Sequence, residues 1–396
     1  MSDYRPLTWP DDFDTIERLW GEGGWLDECQ NARLGMERWV EGCTGFAGLL
    51  DGEAEAIGVG RAGSFRYEDR ELPLNLVASI NVSRIARGRG LGGGVTRRVM
   101  QAGAAEGAAV SLLGIFDQGY YDKLGFGTGS YQRFVTVDPR LLNVPVPERV
   151  PVRLGLDDIS RIHESRLRRH KTHGSATLPQ EGATASEILW ELGFGIGFED
   201  RSGQLTHHFW CVPKGEHGPY RIMWMVWEEP SQYLDLLGVI ATWRDQVMGV
   251  RMPEFGSIPL QDLMKRPFRH RGMTKGGAYS QDPTSFAWWQ ARILDLPAAM
   301  GAVSIAGEPI QFVLRLTDPL DLVSGDWTIV LGAESTAERG GDPQIRASVG
   351  AFSRRWLGVA SGAALAVSDD FSGDPALIAE LDRRWRIPKP VIDWEL

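Results

Sequence analysis

Cysteine is scarce in this chain of 396 residues: Cys29, Cys43 and Cys211 are odd in number, far apart and without a Cys-x-x-Cys pair. That argues against a disulfide framework or a zinc site and fits a reducing cytoplasm. Long apolar runs are missing as well. No stretch reaches the roughly 18 apolar residues of a membrane span, and Met1 to Pro10 carries Asp3, Arg5 and Pro6 in place of the segments of a signal peptide. Basic charge is in deficit, with 42 Lys and Arg against 52 Asp and Glu and a formal net charge of -10. The balance speaks against a nucleic-acid scaffold and fits a cationic partner, although such charge also serves solubility alone. A Gly-Lys-Ser/Thr phosphate loop is absent. What is present is length, and since one core rarely grows past about 250 to 300 residues, two or three domains are expected.

The most informative stretch runs from Val82 to Met100. An apolar strand from Leu74 to Val82 leads through Arg87, Gly90 and Gly92, an Arg-x-x-Gly-x-Gly turn, into a helix whose Leu91, Val95 and Val99 share one face. Side-chain-free amides at the start of a helix, where N–H groups lack intrahelical partners and the dipole is positive, make an anion cradle. A dinucleotide pattern, Gly88-x-Gly90-x-x-Gly93, overlaps it, but its strand follows a hairpin instead of opening the fold.

Before the cradle, Phe13 to Trp20 and Gln30 to Val40 have helical spacing, and between them Gly21 to Glu28 forms an acidic loop with Trp25, Asp27 and Glu28. That loop reads equally as an amine-recognising lid and as an exposed connector. Phe46 to Leu50 and Ala56 to Arg61 are strands around an Asp51-Gly52 turn, and Arg66 to Glu71 reads as a polar loop. After the cradle comes a strand at Ala109 to Phe116, then Gly119-Tyr120-Tyr121-Asp122-Lys123-Leu124-Gly125-Phe126-Gly127, and prolines mark a linker from Leu141 to Arg153. Beyond it, a helix at Asp157 to Arg169, strands at Thr206 to Val212 and Tyr220 to Trp227, a helix at Tyr233 to Trp243 and a strand at Gln246 to Met252 repeat the first plan without its cradle. The basic run Arg166 to Lys171 reads as an anion grip or a solvated helix end, and His170, His173, His207 and His208 have no partners at metal-ligand spacing. Trp288 to Pro297 is expected to open a helix, followed by alternating strands at Ile310 to Leu316 and Trp327 to Leu331, a third strand at Ile345 to Val349, and helices at Ser353 to Leu357 and Pro375 to Arg386.

Strand, Arg-x-x-Gly-x-Gly turn, helix, second strand and Tyr-Asp-Lys-Leu-Gly-Phe resemble, in that order, the core of the GNAT superfamily of N-acetyltransferases. An apolar helical face beside a small sheet in the last third resembles the sterol-carrier-protein fold. The whole resembles the enhanced intracellular survival (Eis) family of aminoglycoside N-acetyltransferases, with further marks at Gln246 to Met248, Gln261 to Leu263, Arg266 to Phe268, Arg292 to Pro297 and Leu314 to Pro319. The expected fold is therefore α+β: a catalytic GNAT domain at 1–142, a degenerate GNAT-like copy without cofactor site at 143–287 and a sterol-carrier-like domain at 288–396 whose end reaches the active site. The resemblance implies acetyl-CoA as donor, no metal, an amine acceptor of the aminoglycoside or polyamine kind, and a homohexamer built of trimers. Ile80 and Val82 would hold the pantetheine arm, and Arg87, Gly88, Arg89, Gly90, Leu91 and Gly92 the pyrophosphate. Tyr121 would be the general acid, with Tyr120 the competing tyrosine, and the Leu396 carboxylate the general base. Trp25, Asp27, Glu28, Trp39, Trp289 and Glu395 would line an acidic, aromatic acceptor pocket. Acetylation of protein amines, or lipid carriage by the last domain, are the alternatives.

Overall fold

The computed structural model describes residues 3–26, 31–115, 119–254, 258–268, 277, 279, 281 and 283–395 of a mixed α+β chain. Its first third comprises β1 (Asp3–Pro6), α1 (Phe13–Gly23), α2 (Ala32–Val40), β2 (Thr44–Leu50), β3 (Glu53–Tyr67), β4 (Arg70–Val82), α3 (Leu91–Ala105), β5 (Val110–Gly114) and β6 (Gly127–Thr128). Asp51 and Gly52, both at positive φ, close the β2–β3 hairpin as their Asp-Gly pair predicts. The expected loop at 66–71 is the tip of a second hairpin, in which Arg66 pairs with Glu71 and Tyr67 with Arg70. Charged side chains suit a hairpin end as well as a loop, so composition does not separate the two. α3 packs on this sheet through buried Leu91, Val95 and Val99, the predicted face.

The next elements are β7 (Gln132–Val137), β8 (Val152–Leu154), α4 (Ile159–Arg168), β9 (Ala176–Thr177), α5 (Glu181–Trp190), β10 (Phe194–Glu199), β11 (Leu205–Val212), β12 (Tyr220–Val226), α6 (Pro230–Thr242), β13 (Val250–Pro253) and β14 (Thr284–Phe286). Among the described residues, the second sheet has the order β14-β7-β13-β12-β11-β10-β8, while β9 pairs with β3 of the first. β12 and β13 are parallel, so β12-α6-β13 repeats β4-α3-β5. The two helices start differently. α3 begins on glycines, whereas α6 begins on Glu229 and Pro230, with the Gln232 amide oxygen accepting from the Glu228 and Glu229 N–H groups. Trp243 to Asp245 form a 3-10 turn, and the strand expected at 246–252 begins only at Val250, as β13.

The chain then returns to the first sheet. β15 (Trp289–Ile293) lies antiparallel between β5 and β6, so the expected helix at 288–297 is a strand, followed by the short α7 (Leu296–Gly301) that Asp295 caps through the Ala298 N–H. Every residue of β15 is buried; a strand covered on both faces loses the alternation that would identify it. Then come β16 (Ile310–Thr317), β17 (Gly325–Leu331), β18 (Thr336–Arg339), β19 (Ile345–Ser348), α8 (Val349–Trp356), α9 (Gly362–Ser368), β20 (Phe371–Gly373) and α10 (Pro375–Arg384). They form a sheet of order β18-β17-β16-β19-β20. Phe312, Leu314 and Leu316 of β16 and Trp327, Ile329 and Leu331 of β17 turn inward beside Phe352 and Trp356 of α8, in a core continuous with that of the first sheet. No described helix is long and apolar enough to cross a membrane.

β4 positions the site. It is parallel to β5 only where Leu74 to Leu76 face Val110 to Leu112. Further on, opposite Gly58, the register with β3 shifts, and Ser79 takes a φ of 56°. A bulge of this kind bends its strand and re-aims its side chains. Here it leaves a wedge between β4 and β5.

Candidate active site

Two cavities meet at this wedge. The outer, of about 730 Å³, lies over the start of α3 and is lined by Ile80, Asn81, Val82, Arg87, Gly88, Gly90, Leu91, Gly92, Gly93, Tyr120 and Lys123 among others. Gly88 and Gly90 stand at φ 77° and 80°, where a side chain would be strained, and a Cβ on Gly88, Gly90 or Gly93 would meet nothing within 4 Å. No side chain caps α3, so its first N–H groups remain available to an anion. The cradle therefore fits a diphosphate group. Of the eight residues expected here, Ile80, Val82, Arg87, Gly88, Gly90, Leu91 and Gly92 line the cavity and Arg89 does not. Lys123, part of the Tyr-Asp-Lys-Leu-Gly-Phe run but given no role there, adds a cation to the lining.

The inner cavity, of about 490 Å³, occupies the wedge itself and shares Trp25 and Ile80 with the outer one. Its walls are Val77, Ala78 and Ser79 of β4, Gly114 and Ile115 at the end of β5, Tyr121, the indoles of Trp20, Trp39, Trp190 and Trp288, and the carboxylates of Glu187, Glu191 and Glu395. The competing tyrosines are thereby separated: Tyr120 lines the outer cavity and Tyr121 the inner, their rings edge to face at 4.8 Å. Burial lifts the Tyr121 phenol well above its ordinary pKa.

The Tyr121 turn is braced from the end of the chain. The Gln290 amide donates to Asp122 at 2.5 Å, and Arg292 donates to the Leu124 carbonyl at 2.6 Å and to Asp318 at 2.8 Å. Neither side chain of the Arg292–Asp318 pair is exposed. Two stretches that stood out in the sequence, Arg292 to Pro297 and Leu314 to Pro319, thus meet behind the tyrosine.

Two arginines of the basic run, Arg166 and Arg169, are buried against the chain's tail, while His170 is exposed. Arg169 makes paired hydrogen bonds, both 2.8 Å, to Asp393, and the Trp394 ring lies 3.9 Å from the Arg166 guanidinium and 5.0 Å from that of Arg169. The Val391 N–H donates to the His173 carbonyl at 2.9 Å, and Ser130 and Gln132 donate to the carbonyls of Pro390 and Ile392. The tail is held along its length, delivering Glu395 to the inner cavity. Glu395 lines that cavity as an exposed residue, its carboxyl set among indoles and other carboxylates. Desolvation by the protein packed around it, and then the Glu187 charge, push its carboxyl up to about 7.

Trp25, Trp39 and Glu395 of the expected acceptor residues meet in the inner cavity. Asp27, Glu28 and Leu396 lie outside the described residues, as does Cys29. Trp289 is fully buried in the core, and its neighbour Trp288 reaches the cavity, because successive residues of extended chain face opposite sides. Glu187, Trp190 and Glu191 went unforeseen. They belong to or follow α5, which buries Thr184, Ser186 and Glu187 and so lacks an apolar stripe. His207 and His208 are buried, and among the described residues no group of His, Cys, Asp and Glu could hold a metal ion.

In sequence, no family model and no curated protein matches the chain. In structure it is similar to a GCN5-related N-acetyltransferase from Kribbella flavida, with 19% identity over 100% of this chain and 99% of that one and a TM-score of 0.78. It is also similar to Eis1 from Mycobacterium abscessus, at 15% identity, full coverage of both chains and a TM-score of 0.80. A GCN5-related N-acetyltransferase from Anabaena variabilis matches at 12% identity, again over both full chains, with a TM-score of 0.80. The fold is that of GNAT-type N-acetyltransferases.

Proposed function

We propose that the chain is an acetyl-CoA-dependent N-acetyltransferase acting on a primary amine of a small molecule. The observation that carries this is the meeting of two cavities at the β4 bulge, one floored by open glycine amides and the other containing a buried tyrosine. The amides of Gly88 to Gly92, with Arg87 and Lys123, hold the diphosphate. Backbone groups of β4 near Ile80 and Val82 align the pantetheine arm and offer an N–H to the thioester oxygen, an interaction worth roughly 3 kcal/mol of barrier. The amine nitrogen attacks the thioester carbonyl, so that a C–N bond forms and the C–S bond breaks. Tyr121 donates its phenolic proton to the departing sulfur, and the amine proton passes to a carboxylate at the end of the chain.

By its resemblance to the Eis family the chain end would supply that base as the Leu396 carboxylate, and the docked tail supports this role. The same resemblance underlies the division at 142 and 287, a second unit silent in catalysis, a sterol-carrier-like third unit, cytoplasmic residence and a hexamer of trimers. The acidic start of α6 supports the silence of the second unit. Against lipid carriage, the inward face of the third sheet is filled by Phe312, Trp327 and Trp356.

Mixing the protein with acetyl-CoA and an amine panel tests the reading. Thiol is released only when an amine is present; failure to bind acetyl-CoA at all would overturn it. Residues added after Leu396 are expected to abolish turnover without weakening acetyl-CoA binding, and unchanged turnover would remove the terminal carboxylate from its role.

A further inference from the structure

The lining of the inner cavity narrows the acceptor, an inference that rests on the acetyl-transfer reading above. Five indoles face a space of about 490 Å³. Trp20 lies 5.9 Å from Trp25 and 5.7 Å from Trp190, and Trp190 lies 6.2 Å from Trp39, so four of them make one continuous wall. Their N–H groups are largely engaged by the protein: Trp39 donates to Ser79 Oγ at 3.0 Å, Trp190 to the Ala32 carbonyl at 3.2 Å and Trp288 to Gln132 Oε1. These bonds fix the rings, and the Arg61 guanidinium 4.9 Å from the Trp39 ring fixes that one further. What the wall offers a ligand is aromatic surface in a set orientation.

The acidic groups are mostly committed as well. Glu187 is paired with Arg166 at 2.7 Å and Glu191 with Arg221 at 2.5 Å. Of the three carboxylates only Glu395 stands outside an ion pair among the described residues. Among the described carboxylates only Glu395 is left for a ligand with several ammonium groups, which would set the others against indole, and charge without a partner there is strongly disfavoured. A single ammonium meets both a carboxylate and the negative faces of the rings. We infer that the acceptor is a monoamine on a flat apolar body, of the arylalkylamine class, its ring among the indoles and its ammonium held by Glu395. Indole-on-ring contacts in offset or edge geometry select a planar body over a sugar.

Calorimetric titration of the full-length protein, saturated with coenzyme A, with 2-phenylethylamine, spermidine and kanamycin tests this apart from turnover. Phenylethylamine is expected to bind at least tenfold more tightly than either polycation, and Glu395→Gln to weaken it about tenfold with the melting temperature unchanged. Tighter binding of spermidine or kanamycin overturns the inference, as does a Glu395→Gln protein of unaltered affinity. If phenylethylamine binds as expected but acetyl-CoA releases no thiol with any amine, the acceptor site stands and acetyl transfer is the part that fails.

Discussion

Tyr121 and Glu395 line the same cavity, and desolvation by the protein around them displaces the pKa of both upward, with opposite consequences. A phenol held above its ordinary value of about 10 keeps its proton through the physiological range, which suits a donor to a departing thiolate. Tyr121→Phe is predicted to lower kcat by about a hundredfold or more while calorimetry shows acetyl-CoA affinity retained; unaltered kcat would pass the role elsewhere, Tyr120 being the nearest candidate. Glu395 titrates near 7, where it matters. Below that pH its carboxyl is neutral and attracts no ammonium; above it the anion forms, while an alkylamine stays protonated. The KM for the amine is therefore expected to fall as pH rises through about 7 and to lose that dependence in Glu395→Gln. A KM profile that is flat in the parent protein would show that the amine does not read this charge.

At the scale of elements, the stability of the tyrosine turn depends on a strand from the other end of the chain. Arg292 of β15 and Asp318 just after β16 are both fully buried. Removing one partner of such a pair costs roughly 3 to 5 kcal/mol, because the other charge is left uncompensated. Arg292→Met is expected to lower the melting temperature sharply, and Arg292→Met with Asp318→Asn to recover part of it, since the amide oxygen carries no charge yet still accepts from the N–H groups of Leu322 and Val323; a double variant as unstable as the single would show that packing rather than charge is at stake. The same elements show what was legible in the sequence. The cradle was, because strand, glycines and helix are adjacent and each follows local rules. β16 and β17 were, because one face is covered and alternation survives. β15 was not, being covered on both faces, and α5 was not, because it buries threonine, serine and glutamate against the rest of the second unit. The lining of the outer cavity was therefore readable, and half of that of the inner one was not: Glu187, Trp190 and Glu191 become cavity walls only through packing between helices distant in sequence.

At the scale of the molecule, the tail and His173 tie the three parts together. His173 accepts the Glu68 N–H on Nδ1 at 3.1 Å, which leaves the proton on Nε2 to donate to the Leu357 carbonyl at 3.0 Å, while its own carbonyl receives the Val391 N–H. First sheet, α8 region and tail thus converge on one neutral imidazole. Burial lowers its pKa, and does the same to His163, to His208 and to His207, which falls to about 4. The sign follows from the unfolded value of about 6.5. As pH drops below it, the unfolded chain takes up protons that the folded chain refuses, so stability declines with falling pH before the carboxylates titrate. Melting temperature is expected to decrease steadily from pH 7 to 5, and His173→Gln, which keeps an amide able to donate to Leu357, is expected to reduce that slope. Because His173 anchors the tail that carries Glu395, acid is also predicted to loosen the chain end before the cores unfold. Hydrogen exchange at Val391 should accelerate at pH 5 ahead of exchange in β4, and exchange rising in both together would mean that the tail is no more labile than the sheet it crosses.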